Sequence, residues 1–312
     1  MSTTRRRFLS QCAGAAAGAW ILPAVSHATA SSAPNVKFPA DPRGRVAVAS
    51  YPFREFIAGK EHKSGNPMME LKDFAAHVAD KFNVHHIEPW SPHFPSTDSK
   101  YLEQFRAAAD KAQSSVVDIA VDGRFSQYAL DAAEREQAVS YSKQWIDIAI
   151  ALGSPSIRTH IHEAKDSKPD VGRTADTLTR VVEYGSARNV VLHLENDDPV
   201  SEDPFFIAQV IEKVNSPWLH ALPDFGNSVG AHDEDYAYRG VDAMFAHAYG
   251  ICHVKSGAVD EQGKVVPVDL GRTFAILKKH DYKGYCSIEY DQPGDPYKTT
   301  AELVETTVKF LS

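Results

Sequence analysis

Eight short apolar runs recur along this chain, and their spacing constrains its fold more than any other feature. They begin 30 to 41 residues apart, and longer stretches with helical periodicity separate them. In order they read RVAVASY (45–51), VHHIEPW (84–90), SVVDIAVD (115–122), SIRTHIH (156–162), NVVLHLEN (189–196), LHALPDF (219–225), YGICHVK (249–255) and GYCSIEY (284–290). This spacing is the length of a βα unit.

Eight strands that alternate with helices predict an α/β protein, a single-domain (β/α)8 TIM barrel over residues 45–312. One intervening stretch carries both helix boundaries in its sequence. Asp131 to Glu134 is typical of a helix start, and Gly153 is typical of a stop. A doubly wound open sheet is the alternative, but no GxGxxG follows the first run.

Residues 1–30 are predicted to be an export signal rather than part of the fold. Arg5 to Arg7 precede an apolar run from about residue 12 to 25, and a small-residue segment, ATA, ends at Ala30. TRRRFLS (4–10) resembles a twin-arginine signal, which predicts export of the folded protein to the periplasm. A general secretory signal with three arginines is the alternative. Residues 31–44 are interpreted as a linker.

The charge of the mature chain excludes one class of partner. Without residues 1–30 the chain keeps 30 basic and 41 acidic residues, a net charge of −11, whereas a nucleic-acid surface needs a basic patch. No later stretch is apolar enough to cross a bilayer, so no membrane contact is expected after signal cleavage. The remaining cysteines, Cys252 and Cys286, form no CxxC pair, which excludes a cysteine-type zinc site and leaves a disulfide between them open.

Four consecutive runs each end with a candidate metal ligand: Glu195, Asp224, His253 and Glu289. The intervals between them are 29, 29 and 36 residues, so each falls at the same place in its own βα unit. The C-terminal ends of barrel strands meet at one mouth, where the active sites of such barrels lie. We therefore expect these four side chains to converge there.

Three carboxylates and one imidazole predict one bound divalent cation. A metal would compensate the cost of burying Glu195 at the end of an apolar strand. The oxygen-rich ligand set favours Mn²⁺, with Mg²⁺, Co²⁺ or Zn²⁺ as the other choices.

These residues carry a resemblance to the sugar phosphate isomerase/epimerase superfamily, the xylose isomerase-like TIM barrels. The resemblance extends over the whole mature chain and includes IEPWSPHF after the second run and HVK in the seventh. It implies that Glu195, Asp224, His253 and Glu289 hold one divalent metal. It also implies that Glu195 and Glu289 act as the acid/base pair, as they do in the ketose 3-epimerases. Hydroxypyruvate isomerase and inosose dehydratase are other members.

Two positions depart from the epimerase pattern. Those enzymes have a histidine three residues after the aspartate ligand, where this chain has Asn227. They have an arginine shortly after the metal histidine, where this chain has Lys255 and no nearby arginine. Lys255 follows His253 by two residues, so it should also point inward and could stabilise an enediolate.

Further residues near the predicted mouth are candidates for substrate binding. Aromatic faces stack on sugar C–H surfaces, and carboxylates and imidazoles bind hydroxyls. Alternation places Arg158, His160 and His162 on one face of the fourth strand, and if that face is inward His160 lies near the mouth. The substrate-binding candidates are Glu88, Trp90, His93, Arg158, His160 and Asn227.

The sequence favours a metal-dependent isomerase or epimerase of a sugar or keto-sugar that works through an enediolate, with Glu195, Glu289 and Lys255 as catalytic residues. A lyase or dehydratase that eliminates a β-hydroxyl or β-glycosyl group at the same site is the alternative. A sugar-binding protein without activity, or a relative of the abasic-site endonucleases, is the third interpretation. The expected partner is a small sugar, and a homo-oligomer stays open.

Overall fold

The computed structural model describes residues 33–312, and the predicted signal peptide lies outside them. Its strands are Val46–Ala49 (β1), His86–Glu88 (β2), Ser115–Val116 (β3), Ala120–Val121 (β4), Ser156–Thr159 (β5), Val191–Glu195 (β6), Leu219–Leu222 (β7), Ile251–Val254 (β8), Gly257–Val259 (β9), Val265–Pro267 (β10) and Tyr285–Ile288 (β11). Its helices are Phe74–Phe82 (α1), Ser99–Lys111 (α2), Ala132–Leu152 (α3), Val171–Ser186 (α4), Pro204–Val214 (α5), Asn227–Ala231 (α6), Glu234–Phe245 (α7), Leu270–Lys279 (α8) and Pro296–Leu311 (α9).

The eight apolar runs form one parallel barrel, which confirms the predicted (β/α)8 fold. One arc pairs in the order β3-β2-β1-β11-β8 and the other in the order β4-β5-β6-β7. The third run is split into β3 and β4, and each half pairs with a different neighbour. The bridges Ala221 to Ala248 and Asp224 to His253 join β7 to the β8 segment, and Trp90 to Ala120 joins the second run to β4. The hairpin β9–β10 lies outside the barrel ring.

Helix α3 shows how local sequence sets the element boundaries. Asp131 caps it by accepting a hydrogen bond from the amide of Ala133, and Gly153 ends it with a left-handed φ of 75°. Both boundaries match the prediction. The buried face of α3 includes Trp145, Ile146 and Leu152, so the helix packs its apolar side onto the barrel.

The fourth run ends earlier than predicted. Strand β5 stops at Thr159, so the strict alternation expected for Arg158, His160 and His162 does not continue to the end of the run. Arg158 is buried, His160 is partly buried and His162 is exposed. The chain leaves the sheet after Thr159, and its path there depends on contacts with other loops.

The segment before β1 lies against the base of the barrel. The ring of Phe38 packs edge-on against Tyr249 and Tyr285, with centroids 5.4 and 5.6 Å away. The hydroxyl of Tyr249 accepts a hydrogen bond from the amide of Val36 and donates one to the carbonyl of Pro34. This segment therefore covers the end of the barrel opposite the strand C-termini.

The sequence also raised expectations about the two cysteines and about membrane contact. Cys252 and Cys286 are in register on β8 and β11 as free, buried thiols with sulfur atoms 3.7 Å apart. Among residues 33–312, no helix combines the length and apolarity that a membrane crossing needs.

Candidate metal centre and active site

The four predicted ligands meet at the C-terminal mouth of the barrel. Glu195 ends β6, Asp224 follows β7 by two residues, His253 lies in β8 and Glu289 directly follows β11. All four are buried, and one ligand atom from each lies within 4.8 Å of the others. The register on consecutive strands thus produces a compact cluster, as the sequence predicts.

Asp224 is oriented with one oxygen free. Its Oδ1 accepts hydrogen bonds from the amides of Gly226 at 2.7 Å and Asn227 at 2.6 Å. Its Oδ2 is buried and has no hydrogen-bond partner, and the ammonium of Lys255 lies 3.4 Å from it. A buried carboxylate oxygen without a donor is costly, and a cation among the four ligands would satisfy it.

His253 is held from behind by Glu88. Nε2 of the imidazole donates to the two carboxylate oxygens of Glu88, at 2.9 and 3.0 Å. Nδ1 faces the cluster, 2.6 Å from Oε1 of Glu195 and 3.2 Å from Oε2 of Glu289. A carboxylate behind a ligand imidazole fixes its tautomer and raises its basicity. Glu88, a candidate for sugar hydroxyls, is therefore placed behind His253 and away from the cavity.

The electrostatics of the cluster also call for a cation. Burial raises the pKa of Asp224 to about 7. The negative charges of Glu195 and Glu289 act in the same direction, and the positive charge of Lys255 acts against them. Burial opposes ionisation of Glu289 as well, but His253 and Lys255 hold its pKa well below the usual range. The residues thus fit a divalent ion, which would compensate all three carboxylates and lower the pKa of Asp224.

Lys255 lies between the cluster and the cavity. Its ammonium nitrogen is 3.0 Å from Oε2 of Glu289 and 3.4 Å from Oδ2 of Asp224. It also donates to Asn227 Oδ1 at 2.8 Å and to Asp291 Oδ2 at 3.0 Å. Burial alone would favour the neutral amine, but these carboxylates raise the pKa of Lys255 well above its usual value. Lys255 is a fixed positive charge in the cavity wall.

The guanidinium of Arg158 is the positive charge that lies beside Glu195. Nε of the guanidinium lies 3.1 Å from Oε2 of Glu195, and Nη1 lies 3.8 Å from Oδ1 of Asp122. Burial opposes ionisation of Glu195, yet His253 and Arg158 lower its pKa. Both glutamates are therefore held as carboxylates, each with a separate basic side chain beside it.

A cavity of about 480 Å³ opens onto the cluster. Its wall includes Glu195, Glu289 and Lys255 together with the candidates Trp90, Arg158, His160 and Asn227. A volume of this order suits a small ligand. Most of the substrate-binding candidates thus share one cavity with the metal cluster.

The loop after β2, which contains Trp90 and His93, forms an aromatic side of the cavity. The indole of Trp90 donates to Oδ1 of Asp122 at 2.8 Å and meets the ring of Tyr51 edge-on at 5.0 Å. His93 packs behind Trp90, and its Nδ1 lies 2.9 Å from the hydroxyl of Ser50. Burial lowers the pKa of His93 to about 4, so it is neutral. His93 supports Trp90 rather than lining the cavity.

Asn227 stands where the epimerase pattern has histidine. Its side-chain amide is 3.5 Å from Oε1 of Glu195 and 3.3 Å from Oδ1 of Asp197, while its oxygen accepts from Lys255. It therefore links the two catalytic candidates Glu195 and Lys255 across the mouth.

Sequence reasoning missed six carboxylates that line the cavity: Asp122, Glu163, Asp197, Asp198, Glu202 and Asp291. Asp122, Asp197 and Asp291 lie at the ends of the third, fifth and eighth runs, so the strand-end rule that found the ligands could have found them. Glu202 lies just before α5, and its loop position carries no comparable signal.

The contact between Glu88 and His253 makes a testable prediction. We expect Glu88→Gln to weaken metal binding about 10- to 100-fold, because the neutral amide no longer raises the basicity of the imidazole. Titration with Mn²⁺, followed calorimetrically, measures the change. Glu212→Gln is the control, since Glu212 also pairs with a histidine, His247, 3.4 Å away and outside the cluster. Equal metal affinity of Glu88→Gln and the unaltered protein would contradict this role.

The fold and the site together define a class: a (β/α)8 barrel with a buried carboxylate–histidine cluster, a candidate metal site, at its C-terminal mouth. The chain matches the family described as xylose isomerase-like TIM barrel over residues 76–310, and it belongs to that family. A search of curated protein sequences finds no match.

Solved structures show the same fold at low sequence identity. A xylose isomerase-like TIM barrel protein from Mycobacterium smegmatis, in complex with magnesium, is 16% identical with a TM-score of 0.64, over 86% of this chain and 96% of that one. D-psicose 3-epimerase from Clostridium cellulolyticum H10, with D-tagatose, is 13% identical with a TM-score of 0.61, over 84% and 89%. A probable 3-DHS dehydratase from Bacillus anthracis is 13% identical with a TM-score of 0.58, over 86% and 98%.

Proposed function

We propose that this protein is a divalent-metal-dependent isomerase or epimerase of a sugar or keto-sugar that works through an enediolate. The observation that carries the proposal is the pair of buried carboxylates, Glu195 and Glu289, at one metal cluster that opens onto a cavity. Arg158 lies beside Glu195 and Lys255 lies beside Glu289. Each cation keeps its glutamate ionised, which is the form that can accept a proton. An epimerase among the solved structures of the same fold supports it.

A bound divalent cation, with Mn²⁺ as our choice, would polarise a carbonyl and acidify the neighbouring C–H bond. One glutamate takes that proton, and the electron pair of the C–H bond moves into the enediolate. Lys255 places its charge beside Glu289 and the cavity, where it stabilises the negative oxygen. To return a proton to carbon, the other glutamate must first take one up from solvent, although Arg158 or Lys255 beside it favours its carboxylate form.

The charge of the cavity favours an unphosphorylated substrate. Besides the cluster, its wall carries Asp122, Asp197 and Asp291, which would repel a phosphate. The same carboxylates accept hydrogen bonds from hydroxyl groups, and Trp90 offers an aromatic edge to a sugar ring. We therefore infer that the ligand is a neutral polyhydroxylated sugar.

Turnover in deuterated water tests this function. We expect a product of unchanged formula that carries one deuterium, because the proton lost to a glutamate exchanges with solvent before one is returned. Mass spectrometry of products from free ketoses, including D-tagatose and D-fructose, and from 3-keto-glycosides measures this. Product without deuterium would contradict proton transfer by two glutamates, and the metal-free protein is the control.

A lyase that eliminates a β-hydroxyl or β-glycosyl group is the second candidate. It requires the same first step and an acid near the departing oxygen. His160, which lies in the cavity wall with a carboxylate behind it, favours this candidate. Loss of water or release of an aglycone in the same experiment would select it over the isomerase.

A further inference from the structure

His160 and Glu202 form a buried pair beside the metal cluster. Nδ1 of His160 lies 2.7 Å from Oε2 of Glu202. Glu202 is almost fully buried, and its carboxylate also accepts hydrogen bonds from the amides of Ile161 at 2.7 Å and Asp198 at 3.3 Å. These bonds hold the carboxylate of Glu202 in place, and the carboxylate in turn orients the ring of His160.

The other ring nitrogen of His160 faces the cavity. Nε2 lies 3.3 Å from Oδ2 of Asp197 and 3.6 Å from Oδ1 of Asp122, and both carboxylates line the cavity and are partly exposed. Gly123 lets its loop pack tightly here, since a Cβ at this position would lie 2.9 Å from Cβ of His160. The ring is thus held from behind by Glu202, and its Nε2 lies beside the two carboxylates that line the cavity.

The surrounding charges keep His160 protonated. Burial by itself lowers the pKa of an imidazole, and Arg158 acts in the same direction. The carboxylates of Glu202 and Asp122 outweigh both and raise the pKa of His160 to about 10. At neutral pH the Nε2 proton is available for donation.

We propose that His160, oriented by Glu202, is a general acid that donates its Nε2 proton to a substrate oxygen after a glutamate of the metal cluster has taken the proton from carbon. The inference rests on the proposed function and divides its proton transfers between two groups. Glu195 and Glu289 transfer the proton at carbon, and His160 donates the proton to oxygen. Glu202 is a positioning residue.

The step balances in both candidate reactions. In isomerisation, the C–H electron pair forms the enediol double bond, the carbonyl electron pair moves onto its oxygen, and that oxygen takes the proton of His160. In elimination, the C–O bond breaks with its electron pair and the departing oxygen takes the same proton. His160 is reprotonated by solvent, so no oxidant or reductant is needed.

His160, Asp197 and Glu202 are also close enough to share a cation. The hydrogen bonds of these residues favour a general acid over a second metal site. Both oxygens of Glu202 are occupied by donors, and Nδ1 of His160 is engaged with one of them. Only Nε2 and the oxygens of Asp197 remain, which is a poor ligand set for a second metal.

The first test separates the two proton transfers. In deuterated water with the ketose and 3-keto-glycoside panel, we expect His160→Gln to lower product formation about 100-fold, the usual effect of losing a general acid. Exchange of deuterium into recovered substrate should stay within about tenfold of the unaltered protein, since Glu195 and Glu289 are intact. His247→Gln is the matched control, because His247 pairs with Glu212 at 3.4 Å outside the site.

The second test concerns Glu202. In Glu202→Gln, the alkaline limb of kcat/KM should move toward neutral pH, and the imidazole of His160 should titrate lower by NMR with ¹⁵N-labelled histidine. A loss of structure alone would lower activity without moving that limb. Glu212→Gln is the control and should leave both unchanged.

Three results would overturn the proposal. Product formation by His160→Gln within threefold of the unaltered protein removes the acid role. An unmoved alkaline limb in Glu202→Gln removes the positioning role, and titration of His160 near pH 6.5 in the unaltered protein contradicts the charged pair. If the unaltered protein neither exchanges deuterium nor forms product, the proposed function fails and this inference fails with it.

Discussion

Removal of the divalent cation is expected to abolish turnover and to lower the thermal unfolding temperature by about 10 °C. An ion present at a thousand times its Kd stabilises the folded state by about 4 kcal/mol, and a chain of this size shifts by roughly 2–4 °C for each kcal/mol. Differential scanning calorimetry with and without chelator, together with elemental analysis, measures both effects. Full activity of metal-free protein would contradict the metal centre.

The metal-free protein should also depend on pH in a way that identifies Asp224. Burial raises the pKa of Asp224 in the folded protein to about 7, from an ordinary value of 3.8. The folded state therefore binds more protons, and the contribution of Asp224 to stability is lost as pH rises from about 4 to about 7. The metal-free Asp224→Asn variant should not lose this stability, because asparagine does not titrate. The difference in free energy of unfolding between the variant and the unaltered metal-free protein should therefore change between about pH 4 and about pH 7. A constant difference would contradict the raised pKa.

The second large effect is expected from Glu289→Gln. Glutamine keeps the shape of the side chain and one oxygen for the metal, but it cannot accept a proton at neutral pH. We expect turnover to fall by about 10³-fold or more, within the range that general acid–base groups contribute, while part of the metal and sugar binding remains. Rate, metal content and D-tagatose binding should be measured on the same preparation.

Metal content decides how a loss of activity in Glu289→Gln is interpreted. An inactive variant that still holds metal supports the proton-transfer role, whereas an inactive variant without metal identifies Glu289 as a ligand only. A metal-loaded variant with full activity would remove Glu289 from the acid/base pair. Glu305→Gln is the control, because Glu305 pairs with Arg43 on the surface and is not part of the cluster.

The sequence by itself determined the barrel and the four ligands, and the physical reason is periodicity. Each βα unit returns the chain to the same face of a parallel barrel, so residues at equal places in successive units must meet. Glu195, Asp224, His253 and Glu289 satisfy that condition, and local capping signals such as Asp131 and Gly153 set a helix between the strands. The export signal stays a prediction from residues outside 33–312.

Only the tertiary structure decided what surrounds the ligands. Glu88 and His253 are 165 residues apart in the chain, and no local pattern shows that Glu88 turns inward behind the imidazole instead of toward a sugar. Strand β5 ends at Thr159, so the direction of His160 depends on Glu202, which a loop 42 residues away supplies. Strand register is encoded in short repeats of the sequence, whereas the direction of each buried polar side chain depends on partners that only the folded chain brings together.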